Sequence, residues 1–247
     1  MNRKRKEQHM IPNIIHYCWF GRGEKSKLAK KCIESWKKYF PDYQIIEWNE
    51  DNFDVNKYEY TKYMYDNKKY AFLSDFVRLQ VVYENGGIYF DTDVEVIKPL
   101  YEIVERGAFF GFENRDYVNS GQGFGAEKGN NIVKIMLEEY SYFPEGFEEE
   151  KGPIGCPELN TRGLSKCGLV KNGKLQQLQG VTVYPKEYFN PYDNIINKLD
   201  ITENTYTIHW YSGSWVSKRQ KLRTFLLYPV HRLLGRNAFK NLRKMRR

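Results

Sequence analysis

A helix-periodic apolar run that stops at two glycines and restarts as a short strand bearing two aspartates constrains this chain more than any other feature. Ala71, Phe72, Phe76, Leu79, Val82 and Tyr83 recur at the spacing of one helix face. Asn85-Gly86-Gly87 then supplies residues suited to a helix C-terminus. Ile88-Tyr89-Phe90 has the β-branched and aromatic make-up of a strand, and Asp91-Thr92-Asp93 closes it. In extended backbone, residues two apart point the same way, so Asp91 and Asp93 are expected to face one small volume while Thr92 turns away. Carboxylates that close repel unless a cation lies between them. A hard divalent ion, Mg²⁺ or Mn²⁺, meets that need and would in turn hold a substrate phosphate. A surface turn with two solvated aspartates has the same three letters.

The flanking sequence alternates strand and helix. Ile11 to Phe20 reads as a buried strand ending at Gly21-Arg22-Gly23. Ser26 can cap a helix with Leu28, Ala29, Ile33 and Trp36 on one face, stopped by Pro41-Asp42. Tyr43 to Trp48 is a second strand, and an aromatic, lysine-rich stretch from Phe53 to Lys69 leads into the central helix. Further strands are expected at Val94 to Ile97, Ala108 to Phe112, Gly123 to Ala126, Leu175 to Tyr184 and Thr205 to Trp210. Helices are expected at Asn131 to Tyr140 and near Glu158 to Lys166, with a turn-rich loop from Pro144 to Gly155. This pattern predicts an α/β fold, a mainly parallel sheet with helices on both faces. Such sheets bind ligands beyond the carboxyl ends of their strands, near a switch in strand order.

Charge divides the chain. Of 39 Lys and Arg residues, eleven fall between Lys218 and Arg247, where no acidic residue occurs; the rest of the chain holds 28 basic against 31 acidic residues, a net of −3. A slightly acidic globular part argues against nucleic acid as a partner. The expected organisation is a basic extension (1–10), one main domain (11–217) and a basic tail (218–247). Leu222, Phe225, Leu226, Leu227, Val230, Leu233, Leu234 and Phe239 interrupt the tail's charges, a pattern suited to peripheral contact with an anionic membrane. The cluster Arg3 to Lys6 is not followed by an apolar run long enough for a signal or spanning helix. Cys18, Cys32, Cys156 and Cys167 match no zinc spacing and read as reduced thiols. The expected location is cytoplasmic, at the inner face of the plasma membrane.

Other residues can join the aspartates. Ser74, Asp75 and Arg78 lie on the central helix, with Asp75 and Arg78 three apart on one face. They form either an intrahelical ion pair or part of a sugar-binding wall. Trp19 closes the first strand, where its ring can stack on a nucleobase or pack in the core. His209, at the end of an apolar run, is a candidate third metal ligand or a structural histidine. The segment Tyr211-Ser212-Gly213-Ser214-Trp215 can close over a ligand as a lid.

Taken in order, these pieces resemble glycosyltransferase family 32, the DXD-containing sugar transferases. The resemblance is carried by Ile11 to Gly21, by Ala71-Phe72-Leu73-Ser74-Asp75-Phe76-Val77-Arg78-Leu79, and by Gly86 to Asp93. Capsular polysaccharide enzymes share this signature, and the glucosyltransferase domains of large clostridial toxins carry a related form. The resemblance implies a GT-A fold, a nucleotide-diphosphate sugar donor (UDP-sugar favoured), a divalent ion (commonly Mn²⁺) and retention of anomeric configuration. It implies that Trp19 stacks on the base and that Ser74, Asp75 and Arg78 line the donor. Tyr89 and Asp91 would lie along the ribose and sugar, Asp93 would ligate the ion with Asp91 and His209, and Ser214 and Trp215 would touch the β-phosphate. Asn119 to Gly125 resembles the loop beneath the sugar. The expected reaction is transfer to a glycan acceptor, lipid-linked, in capsular or other surface polysaccharide synthesis. A protein acceptor, or a metal-dependent phosphohydrolase using the same aspartates, is the alternative.

Overall fold

The computed structural model of the chain describes residues 10–213, 219, 227–229 and 232. In chain order these form β1 (Ile14–Cys18), α1 (Lys27–Tyr39), β2 (Gln44–Trp48), α2 (Glu59–Asp66), α3 (Tyr70–Asn85) and β3 (Gly87–Tyr89). Next come β4 (Val94–Val96), α4 (Tyr101–Glu105), β5 (Phe109–Gly111), β6 (Phe124–Ala126) and α5 (Asn131–Glu138). The remainder comprises α6 (Cys156–Lys166), β7 (Gln176–Leu178), β8 (Val181–Tyr184), α7 (Lys186–Phe189), β9 (Tyr192–Asp193), β10 (Lys198–Leu199) and β11 (Thr207–His209). Ser214, Trp215, residues 1–9 and most of the basic tail lie outside the described residues. No helix among the described residues is long and apolar enough to cross a membrane.

Seven strands form one sheet in the order β2-β1-β3-β6-β5-β8-β7. Five of them (β2, β1, β3, β5 and β8) run one way and β6 and β7 the other, so the sheet is mixed and mainly parallel. β4 and β11 pair separately as an antiparallel ribbon. Alternate strand residues feed two cores: Ile88 and Phe90 pack with Ile33 and Trp36 of α1, whereas Tyr89 packs with Leu73, Val77 and Leu79 of α3. Phe109 and Phe110 divide in the same way. Helices therefore cover both faces, as the alternation predicts.

Two helices carry the site. Ser26 Oγ accepts the Ala29 N–H at 3.1 Å and caps α1. On that helix Trp36 is fully buried and donates from Nε1 to Val94 O at 2.8 Å, while Ser35 Oγ accepts the Val96 N–H at 3.0 Å. These two bonds fix β4 against α1; truncating Trp36 to Ala would cost about 3–5 kcal/mol. α3 is buried along most of its length and ends at Gly86, whose φ of 69° admits glycine most readily. From β1 the chain crosses to β2 on one side and returns to β3 on the other, so strand order switches between β1 and β3. That is the place where α/β sheets bind ligands.

Three local expectations are corrected. β1 is shorter than Ile11 to Phe20, because only Ile14–Cys18 meets both neighbouring strands. The stretch Phe53 to Lys69 contains α2, whose aromatic residues hide an amphipathic helix. Leu175 to Tyr184 is a hairpin rather than one strand, turning at Gln179 and Gly180, both with positive φ.

Candidate active site

Asp91 and Asp93 do not sit on the strand itself. β3 ends at Tyr89, and the Val94 N–H donates to Asp91 O at 2.9 Å, closing a turn over the two aspartates. The turn replaces the extended geometry expected from the sequence, but the convergence survives. Oxygens of Asp91 and Asp93 and a ring nitrogen of His209 all lie within 4.8 Å of one another. The turn is anchored from below, where the Asp91 N–H donates to Gly121 O at 3.1 Å.

α3 presents Asp75 and Arg78 to this turn. Arg78 Nη2 lies 3.0 Å from Asp75 Oδ1 and 2.8 Å from Asp91 Oδ1, bridging helix and turn. The Tyr89 hydroxyl donates to Asp91 Oδ1 at 2.9 Å, and the guanidinium lies 5.1 Å from the Tyr89 ring centre. The intrahelical pair of the sequence reading is real, but Arg78 does more than that. It is one buried cation serving two carboxylates.

The electrostatics follow from that shortage. Burial pushes the Asp75 carboxyl up to about 6, and Arg78 only partly offsets it. Burial also raises Asp91, against the pull of Arg78. Asp93 goes the other way: burial would raise it, but the charge and hydrogen bond of His209, with the Ser212 N–H at 2.7 Å, hold it well below the usual carboxylate range. Burial would lower His209, yet the adjacent Asp93 outweighs this and raises it.

The β4–β11 ribbon brings His209 to the turn. His209 pairs in register with Val94, and the Trp210 N–H donates to Asp93 O at 2.9 Å. His209 Nε2 then stands 3.2 Å from Asp93 Oδ1, while its Nδ1 is buried with no partner among the described residues. Two carboxylates and an imidazole form a donor set suited to Mn²⁺ or Mg²⁺. Two half-buried carboxylates beside an imidazole with an unpartnered ring nitrogen among the described residues fit a site built to receive such an ion. Asp93 and His209 are its natural ligands; Asp91 is shared with Arg78 and Tyr89.

The other sequence candidates are distributed along the same sheet edge. Trp19 follows β1, beside β3; it is half-buried and donates from Nε1 to Gly23 O at 2.7 Å, with Lys25 Nζ 5.6 Å from its ring centre. Ser74 is half-buried on α3, one turn before Arg78. Two further groups support the site, the first in the loop Asn119 to Gly125 and the second on α6. Gly121 sits where a Cβ would collide with Asp91 Oδ2, so only glycine fits there. Its loop is held by α6: Asn160 Oδ1 accepts the Ser120 N–H at 2.9 Å, and Cys156 Sγ lies 3.4 Å from both Arg78 Nη1 and Asn119 Oδ1. The Gln122 carboxamide in this loop is buried with neither atom paired among the described residues. All four cysteines are free and buried.

With this geometry in place, the chain can be set beside known proteins. Residues 26–110 match the family described as the glycosyltransferase sugar-binding region containing a DXD motif. The chain is 27% identical over 208 residues to the lactosylceramide 4-alpha-galactosyltransferase of Mus musculus, covering 79% of this chain and 54% of that one. It is 32% identical over 97 residues to inositol phosphoceramide mannosyltransferase 3 of Schizosaccharomyces pombe, covering 36% of this chain and 26% of that one. The chain thus spans about half the length of the curated relatives it matches first. Among solved structures, a glycosyltransferase involved in glycosylating the major capsid of PBCV-1 superposes with a TM-score of 0.50 at 13% identity, covering 87% of this chain and 100% of that one. The fold is GT-A.

Proposed function

We propose that this chain is a divalent-metal-dependent glycosyltransferase that moves a sugar from a nucleotide-diphosphate donor, a UDP-sugar by preference, to a glycan acceptor with retention of configuration. The observation that carries the reading is the Asp91–Asp93–His209 cluster, which follows the sheet's switch point and whose two aspartates lie inside the matched sugar-binding region. When bound, Mn²⁺ or Mg²⁺ would supply Lewis-acid stabilisation of the leaving diphosphate. Asp93 and His209 would hold it, with Asp91 assisting. Arg78 keeps Asp91 and Asp75 fixed, and Asp75 is positioned to accept hydroxyl hydrogen bonds from the donor sugar. Trp19 is proposed as the stacking surface for the base, with Tyr89 and Ser74 along the donor. Ser214 and Trp215 keep the role that the resemblance gives them, at the β-phosphate. In the transfer, the acceptor oxygen bonds to the anomeric carbon as the bond from that carbon to phosphate breaks. The bonding pair leaves with the diphosphate, which also takes the hydroxyl proton.

The names of the two relatives specify lactosylceramide and inositol phosphoceramide, which supports a lipid-linked acceptor here. Surface polysaccharide synthesis remains our preferred setting on the strength of the family 32 resemblance. The division at 218, with the basic tail holding the enzyme at the inner membrane face, belongs to the same proposal. A screen of nucleotide-sugar donors, following nucleotide release with and without Mn²⁺, tests it. Metal-dependent release from one donor class is expected. Release from none, or release indifferent to Mn²⁺ and to chelator, would overturn it.

A further inference from the structure

β1, β3, β5 and β8 run in one direction, so their carboxyl ends share one edge of the sheet. Read along that edge, Trp19 follows β1, the Asp91–Asp93 turn follows β3, Glu113 follows β5 and Lys186 follows β8. The far part of the edge opens into a recess of about 390 Å³ lined by Glu113, Asn114, Lys186, Asn190 and Asn194, among others. That volume falls within the range of about 300–1,000 Å³ typical of small-ligand sites.

Tyr211 is the wall between this recess and the metal-binding cluster. Its ring stacks on His209 with centres 4.1 Å apart. Its hydroxyl donates to Glu113 Oε1 at 3.0 Å and accepts from Asn190 Nδ2 at 2.6 Å. Tyr211 holds a φ of 49°, a left-handed conformation that is strained for a bulky residue and clusters at functional sites. Asn190 is only 2% exposed, and its Oδ1 accepts no hydrogen bond from the described residues. A buried acceptor left open at a polar recess calls for a donor from outside.

The lining selects the ligand. Three carboxamides, one carboxylate and one ammonium group offer many hydrogen bonds and no net charge. An anion would want uncompensated cations, and an acyl chain would want a continuous apolar wall; here Ile195 and the Tyr192 and Tyr211 rings line only part of the recess, beside its polar groups. We infer that it is the acceptor site and that it takes a neutral glycan, presented past Tyr211 to the donor sugar at Asp91 and Asp93. This assignment rests on the transferase reading above and adds the acceptor's chemical class and position.

The test is a glycan array probed with the full chain in UDP and Mn²⁺, followed by kinetics on the glycan retained best. Asn194→Trp fills the recess from its half-buried rim, and Asn190→Ala removes the buried amide. Neutral glycans should be retained, and both variants should weaken retention about tenfold or more. For the chosen acceptor, KM should rise about tenfold in Asn194→Trp while donor KM changes less than about twofold. Should Asn190→Ala fail to fold, Asn194→Trp alone decides. Retention of no glycan, of acidic glycans only, or of neutral ones untouched by Asn194→Trp overturns the assignment. If no donor releases nucleotide but Asn194→Trp still blocks glycan retention, the transferase reading falls and the glycan site stands.

Discussion

His16 in β1 and His209 in β11 are both buried, but the fold completes one ring and leaves the other open. His16 donates from Nε2 to Gly86 O at 2.8 Å and accepts Trp48 Nε1 on Nδ1 at 3.0 Å. Burial lowers its pKa, so it is a neutral ring with both nitrogens used. It ties together β1, the residue after α3 and β2. His209 faces Asp93 through Nε2 and has no described partner on Nδ1, and it stands with Asp91 and Asp93 in one small volume. Burying polar groups is costly unless they are paired. Packing therefore explains the first histidine completely, whereas the second keeps a buried ring nitrogen with no partner among the described residues. The same contrast separates Trp36, whose Nε1 has its carbonyl, from the Gln122 carboxamide, which has no partner among the described residues.

Substituting at each pole of this contrast should give opposite results. Asp93→Asn should lower kcat by about 10³-fold, the scale of losing a major electrostatic element, with only a small fall in melting temperature as the His209 pairing that depresses its carboxyl is weakened. His16→Ala should do the reverse, costing about 2–4 kcal/mol in denaturant unfolding because Gly86 O and Trp48 Nε1 lose their partner. At a temperature where it is folded, its transfer rate should stay within a few-fold of wild type. A folded His16→Ala protein without activity would erase the distinction. Gly121→Ala should disturb both activity and stability: displacing Asp91 should cost about 10²-fold in kcat, and the collision of the added methyl with Asp91 and Arg78 about 1–3 kcal/mol in stability.

The smallest effect concerns Asp75. Its folded pKa near 6 lies above the unfolded value of about 3.9, so between those values the native state holds a proton that the unfolded state has lost. Asp75's contribution to stability is thus greatest below about pH 4 and declines as pH rises through 6. Unfolding free energies of wild type minus Asp75→Asn should accordingly fall by about 1–3 kcal/mol from pH 4 to pH 7. A difference that is flat or rises with pH would mean that Arg78 fully compensates the buried carboxylate.

Local chemistry made much of this legible in the sequence. Ser26, the α1 stripe ending in Trp36, and the Asn85-Gly86-Gly87 stop all act within a few residues, and each forms as expected. The Asp91–Asp93 pair was visible as a motif, but its conformation was not, because the turn depends on Gly121 from a distant loop. α2 was missed since tyrosines at helical spacing look like any aromatic-rich stretch. Glu113 had a usable signal, being the residue just past the predicted strand Ala108 to Phe112, where α/β sheets place functional groups. Asn190 had none, and Tyr211 was legible only as the start of the candidate lid segment. Their meaning arises only when the edge of the sheet gathers them.

The central claim is that Asp93 and His209 hold a cation that joins the protein to a nucleoside diphosphate. Thermal unfolding with UDP, with Mn²⁺ and with both tests it most directly. A ligand at a hundred times its Kd adds about 2.7 kcal/mol, or roughly 5–10 °C for a domain of this size. That rise is expected only when UDP and Mn²⁺ are present together, and it should vanish in Asp93→Asn. An equal rise with UDP alone, or one that persists in Asp93→Asn, would contradict it.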